Sequence, residues 1–242
     1  TGQWSHHHGV VSNDARLFDP SESIATELHA LGYWTGIFGK YFNKTLKIAD
    51  TTPDGWDRSF LFGGAYYRYK SLVDGVRRRF GALPTDYSTV QIQQQAIAAI
   101  NRVKNPARPI FLWLAPYAVH EGRDETNVSS RDSVPLVRDR GDARCASLEP
   151  WWTAAFDEQD MSDKPAFLQD LPLRPAQSLV HPCESLLSVD RMLGRVLAAF
   201  KAKGRPMPLV ILTVDNGMAW GAHRWWPKFL PYATPIPLFI HW

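Results

Sequence analysis

The chain has 242 residues, 45% of them hydrophobic and 21% charged, which is the composition of a folded protein able to bury a core. Its formal net charge of +3 argues against nucleic acid as a partner and is compatible with a small acidic substrate. No stretch reaches the apolar length of a membrane span. The first residue is Thr1 and no charged-then-apolar leader precedes it, so the sequence reads as a fragment or a processed product. Cys145 and Cys183 lack Cys-x-x-Cys spacing, which argues against zinc and leaves a disulfide open. Asn43-Lys-Thr45 and Asn127-Val-Ser129 match the short glycosylation pattern, and the compartment stays open.

Ser21 to Leu31 places Ile24, Leu28 and Leu31 on one helical face, with serines at its start and Gly32 as the stop. Tyr33 to Phe38 is strand-like and runs into Gly39-Lys40. Asp86 to Lys104 carries Ile92, Ala96, Ile100 and Val103 at helical spacing and is closed by Asn105-Pro106. Ile110 to Ala115 is a short apolar run of the kind buried in parallel sheets, and His120 sits in the loop beyond it. Residues 121–175, rich in Pro, Asp, Arg and Ser, read as a long surface excursion. A long helix follows from Pro175, marked by Leu186, Val189, Leu193, Val196 and Phe200. The run Leu209-Val-Ile-Leu-Thr-Val214 then reads as a buried parallel strand ending in Asp215-Asn216-Gly217, and Ile236 to Trp242 is a last apolar run.

Alternating helices and strands predict an α/β layered domain with a largely parallel sheet. The polar residues of interest fall just past strand ends, where open parallel sheets bind ligands. The organisation therefore predicts one shared site holding Lys40, His120, Asp215, Asn216 and Lys228. A carboxylate and an amide side by side offer oxygen ligands to a hard cation, although such a pair before Gly is also common in ordinary turns.

With those residues placed, the chain resembles the sulfatase family. Thr1-Gly-Gln-Trp-Ser-His-His-His-Gly-Val10, Leu31-Gly-Tyr-Trp-Thr-Gly-Ile-Phe-Gly-Lys40 and Pro53-Asp-Gly-Trp-Asp57 resemble its ordered motifs. So do Ala115-Pro-Tyr-Ala-Val-His120, Ser188-Val-Asp190 with Gly194, and the Asp215-Asn-Gly strand end. Ala65-Tyr-Tyr-Arg-Tyr69 and Asp160-Met-Ser-Asp-Lys-Pro165 are similar to the N-acetylglucosamine-6-sulfatase branch.

The resemblance implies an alkaline-phosphatase-like α/β/α sandwich that hydrolyses a sulfate ester of an amino sugar or glycan. It implies a formylglycine nucleophile and a Ca²⁺ ion held in part by Asp215 and Asn216. Lys40 and Lys228 would meet the sulfate and the ester oxygen, His120 would protonate the leaving alcohol, and His223 and Asn43 would contact substrate. Trp151-Trp152 and Trp225-Trp226 could stack on sugars or simply pack. Secretion, a periplasm or a lysosome would suit such a protein. The pattern also breaks. No Cys-x-Pro-Ser-Arg motif or aspartate pair is present, so half of the calcium site is missing and the segment alone is expected to be inactive. Pro231-Tyr-Ala233 stands where the family has Pro-Tyr-Glu. Two rival readings are a phosphoester or phosphonate hydrolase on the same scaffold and a degenerate protein that only binds sulfated glycans.

Overall fold

The computed structural model describes residues 1–12, 14–146, 148, 154–156, 158–173, 178–226, 228–229 and 231–242. The chain divides into two units, Thr1–Arg140 with Pro182–Pro206 and Gly141–His181 with Met207–Trp242.

The first unit is built on a five-stranded sheet of β1 (Trp34–Lys40), β2 (Arg58–Phe62), β3 (Lys70–Val73), β4 (Val76–Arg79) and β5 (Ile110–Ala115), ordered β4-β3-β2-β1-β5. β2 and β5 flank β1 in parallel, while β3 and β4 run antiparallel at one edge. Alternation along the strands divides the core between the two faces. Trp34, Phe38, Phe60 and Phe62 pack with Ile92, Ala96 and Ile100 of helix α2 (Ser88–Arg102) and with Met192, Val196 and Phe200 of helix α3 (Val180–Ala202). On the other face Ile37, Leu61 and Leu72 meet Tyr41, Leu46 and Trp56. Helix α1 (Ile24–Ala30) starts at Ser23, whose hydroxyl accepts from the Thr26 amide while Thr26 answers with its own hydroxyl.

The expected helices and strands are therefore present with shifted ends: α1 starts three residues inside the predicted segment, and β1 runs on to Lys40. Residues 174–177, where the long helix was expected to begin, lie outside the described residues. The apolar run from Leu209 departs from expectation. It forms β6 (Val210–Thr213), which pairs antiparallel with β7 (Leu238–His241) in a separate ribbon. A parallel pairing needs a crossover that returns the chain to the same end of the strand; here residues 214–237 reverse it, so that Val210 faces His241. Nor is this strand buried, since Ile211, Leu212, Phe239 and Ile240 are all exposed.

Both cysteines are disulfide-bonded, which answers a question the sequence left open. Among the described residues, no helix is long and apolar enough to cross a membrane.

Candidate active site

Lys40 is the last residue of β1, and its position depends on Gly39. That glycine has φ 134° and pairs with Ala115 of β5; an added Cβ would lie 2.1 Å from the Ala115 carbonyl oxygen. Only a residue without a side chain permits this approach. The chain turns out of the sheet there, and Lys40, Tyr41, Phe42 and Asn43 line a hollow of about 170 Å³ with Val10, Ser12 and Ala15. Lys40 is half-buried and Asn43 exposed. Burial pushes the Tyr41 phenol up to about 12, with the Asp54 charge adding to it, so it stays a neutral hydroxyl.

His120 leaves the same edge of the sheet, five residues past the end of β5. Its Nδ1 lies 2.8 Å from the Glu121 carbonyl oxygen and 2.9 Å from the Tyr117 hydroxyl oxygen. A carbonyl oxygen only accepts, so Nδ1 carries the hydrogen. The Tyr117 hydroxyl donates to the same carbonyl at 2.8 Å and accepts from Nδ1, and its ring stacks on the imidazole with centroids 4.8 Å apart. Burial pushes the Tyr117 phenol up to about 12, helped by the Glu121 charge, so this hydroxyl keeps its proton. Nε2 is the ring nitrogen left without a partner among the described residues. Behind the ring, Tyr66 donates to the His120 carbonyl at 2.6 Å and stacks on Tyr87. Tyr66 and Tyr117 lie within the family motifs without standing out as site residues; a tyrosine three residues before the histidine is the signal the sequence offers.

In the second unit, Lys228 donates to Asn216 Oδ1 at 3.1 Å, and Asn216 Nδ2 donates to the Gly217 carbonyl at 2.8 Å. Gly217 sits so close to residues 233–235 that a Cβ would lie 2.5 Å from the Ala233 carbonyl oxygen. Asp215 is exposed. Two oxygen ligands from one carboxylate and one amide, the amide oxygen already accepting from a lysine, fall well short of the six to eight that Ca²⁺ takes. Among the described residues, no group of three or more His, Cys, Asp or Glu is arranged to hold a metal. These residues do not by themselves make a calcium site.

His223 is half-buried, and its Nδ1 lies 2.7 Å from Glu158 Oε2, while Lys164 reaches Oε1 at 3.0 Å. The hydrogen bond from His223 and then that from Lys164 hold the Glu158 carboxyl below its usual range. Trp220, His223 and Arg224 all have positive φ, a conformation that costs non-glycine residues about 1 kcal/mol or more each. Arg224 offsets this by donating to the carbonyls of Glu158, Gln159 and Leu171. Glu158 was not found from the sequence, because no local spacing connects it to His223. Trp225 is half-buried and meets the exposed Phe167 edge-on with ring centroids 6.4 Å apart. Trp151 and Trp152 lie outside the described residues.

Lys40, Asn43 and His120 thus belong to the first unit and Asp215, Asn216, His223 and Lys228 to the second. The chain is 26% identical to the extracellular sulfatase SULF-1 homolog of Drosophila melanogaster, a match covering 90% of this chain and 20% of that protein. It is 27% identical to an arylsulfatase of Volvox carteri, covering 92% of this chain and 39% of the relative. It therefore spans well under half the length of either. The structure of BT4656 in complex with its substrate D-glucosamine-2-N,6-O-disulfate superposes over all of this chain and 59% of the other, with a TM-score of 0.64 at 18% identity. That likeness shows the fold to be the one sulfatases share, the alkaline-phosphatase-like sandwich. The sulfatase family model matches residues 1–242 from end to end, and the chain belongs to the sulfatase family.

Proposed function

We propose that these 242 residues form part of the catalytic domain of a sulfuric ester hydrolase acting on a sulfated amino sugar or a related glycan. The observation that carries this reading is the paired exit from β1 and β5. There Gly39 turns Lys40 toward the hollow, and His120 emerges at the same sheet edge with Nδ1 tied down and Nε2 without a partner among the described residues. An ammonium group stabilises negative charge developing on a transferring sulfuryl group. With Nδ1–H held by the Glu121 carbonyl, the protonated ring delivers its second proton from Nε2 to the departing alcohol oxygen and returns to the neutral Nδ1–H form. Lys228, oriented by Asn216, is read as a second cation for the ester oxygen, and His223 and Asn43 as substrate contacts. A calcium ion would supply Lewis-acid polarisation and a formylglycine hydrate the attacking oxygen. The reading requires that nucleophile and further oxygen ligands from outside these residues. A substrate resembling the glucosamine disulfate bound by BT4656 fits the proposed class.

The test compares sulfate release from a glucosamine 6-sulfate with phosphate release from the matching phosphate ester, using the full-length protein. Sulfate release that falls at least 100-fold in Lys40→Ala and in His120→Ala supports the reading. Preference for the phosphate ester moves the protein to the phosphoester alternative. A second reading, a glycan-binding protein without turnover, draws on Ala233, which is buried where the family's glutamate is expected. Binding of the sulfated sugar with no release of sulfate would establish it. The isolated 242-residue chain is expected to show no turnover in either case, and measurable hydrolysis by it overturns that expectation.

A further inference from the structure

The β3–β4 hairpin carries more positive charge than the chain as a whole. From Arg68 to Arg79 it holds Arg68, Lys70, Arg77, Arg78 and Arg79 against the single carboxylate of Asp74, whereas the entire chain nets +3. Asp74 is already committed: it forms an ion pair with Arg58, whose Nε lies 2.7 Å away, and accepts from the Ser59 amide at 2.9 Å. Arg68 and Arg77 are spent on backbone carbonyls, those of Glu125 and Leu46. Lys70, Arg78 and Arg79 are exposed, and among the described residues their side chains form no ion pair or hydrogen bond.

Register sharpens the point. Lys70 lies directly opposite Arg79, and Leu72 opposite Arg77. Alternate residues share a face, so Lys70, Arg77 and Arg79 stand on the side of buried Leu72. That side is covered by the short helix Thr45–Ile48, where Leu46 packs with Leu72 and receives the 2.9 Å bond from Arg77 at its carbonyl. Exposed Lys47 lies on that helix and exposed Lys44 caps it. Asn43, one residue earlier, lines the hollow beside Lys40. Cations therefore extend from the hollow, over the short helix, to the sheet edge.

Guarding an open sheet edge against unwanted pairing takes only a charge or two. Three consecutive arginines on the edge strand, one of them facing a lysine across the ladder, exceed that need, because like charges directly opposite one another destabilise the pair. The unbalanced repulsion is relieved when a polyanion lies along it. We propose that this face is an exosite for a sulfated polysaccharide chain, gripping sulfates several sugars away from the one at Lys40. The proposal rests on the sulfatase reading only for the chemical nature of the occupant.

Dextran sulfate oligomers, unsulfated dextran and a single-stranded DNA of matched charge are titrated against the full-length protein at several salt concentrations. The variants are Lys70→Gln/Arg79→Gln and, as an equal-charge control, Lys201→Gln/Lys203→Gln. The wild type is expected to bind long dextran sulfate, with affinity falling steeply as salt rises, and to ignore dextran. The hairpin double variant should bind at least 10-fold more weakly with a shallower salt slope, while its Tm is unchanged or raised; the control should stay within 2-fold. Equal loss in both variants, or no loss in the hairpin variant, overturns the exosite. Tighter binding of the DNA overturns its occupant. Hydrolysis of a small sulfate ester, measured alongside, should be unaffected by the hairpin substitutions. Should that hydrolysis be absent from the wild type while polymer binding still depends on Lys70 and Arg79, the sulfatase reading fails and the exosite stands.

Discussion

A methyl group added at Gly39 would sit 2.1 Å from the Ala115 carbonyl oxygen, on backbone whose φ of 134° disfavours any side chain. Gly39→Ala therefore costs both backbone strain and the β1–β5 pairing at that position, about 3 kcal/mol or more. Denaturant unfolding should show a lower midpoint with an unchanged slope, and Lys40 would lose its aim. Arg205 is a comparable case in a different currency of contacts. It is nearly buried, and its guanidinium donates to the carbonyls of Val103, Asn105, Pro106 and Arg108 at 2.8–3.2 Å, closing the loop between α2 and β5. Arg205→Met keeps the stem but leaves four acceptors without their donor, and is expected to cost about 3 kcal/mol in the same measurement. At His120 the expected effect is on rate. Tyr117→Phe removes one partner of Nδ1 but leaves the Glu121 carbonyl, so turnover of the full-length protein should fall several-fold rather than vanish. A loss as large as that of His120→Ala would mean the tyrosine itself meets substrate.

At the scale of elements, periodicity made α2, α3, β1 and β5 legible, because each buries one face or run against the same core. Helix α1 was legible from its capping serine and Gly32 stop instead: Ile24 and Leu31 of its expected apolar face are exposed, and Ala25 is the residue it buries. The β3–β4 hairpin was missed although its signal is present: Val73-Asp74-Gly75-Val76 has Asp74 and Gly75 both at positive φ, the two-residue turn that suits strand twist. The long apolar run at Leu209 hid its partner, since a short apolar strand reads alike whether its neighbour is parallel or antiparallel. Lys40 and His120 stood out in the sequence because one closes an apolar strand and the other lies in the loop after one. Glu158 did not, because it lies 65 residues from His223 in sequence. The two sheets should also differ in their opening. β1 is buried along almost its whole length, whereas β6 and β7 form a two-stranded ribbon with exposed apolar side chains. Amide hydrogen exchange should therefore be fast in β6 and β7 and slowest in β1 and β2. Equal protection of both sheets would contradict this.

For the whole molecule, acid is the condition that acts on both units at once. In the first unit, the hydrogen bonds from Arg140 hold the Glu125 carboxyl below its usual range; in the second, His223 and Lys164 do the same for Glu158. Asp14, held by Arg16, is drawn down to about 2. A carboxyl whose value is lower in the folded chain than in the unfolded one is the weaker proton binder when folded. Its contribution is complete above the unfolded value and disappears as pH falls through the folded one. Protonation also leaves 27 Lys and Arg and 8 His without their 24 acidic counterparts, so mutual repulsion adds to the loss. As far as these carboxylates decide it, Tm should be level from pH 6 to 8, begin to fall below about pH 4.5, and drop steeply toward pH 2. Glu125→Gln and Glu158→Gln should each lower Tm at neutral pH and flatten part of the acid limb, and their effects should add because each acts within its own unit. A wild-type Tm as high at pH 3 as at pH 7 would show that neither pair contributes to holding the fold together.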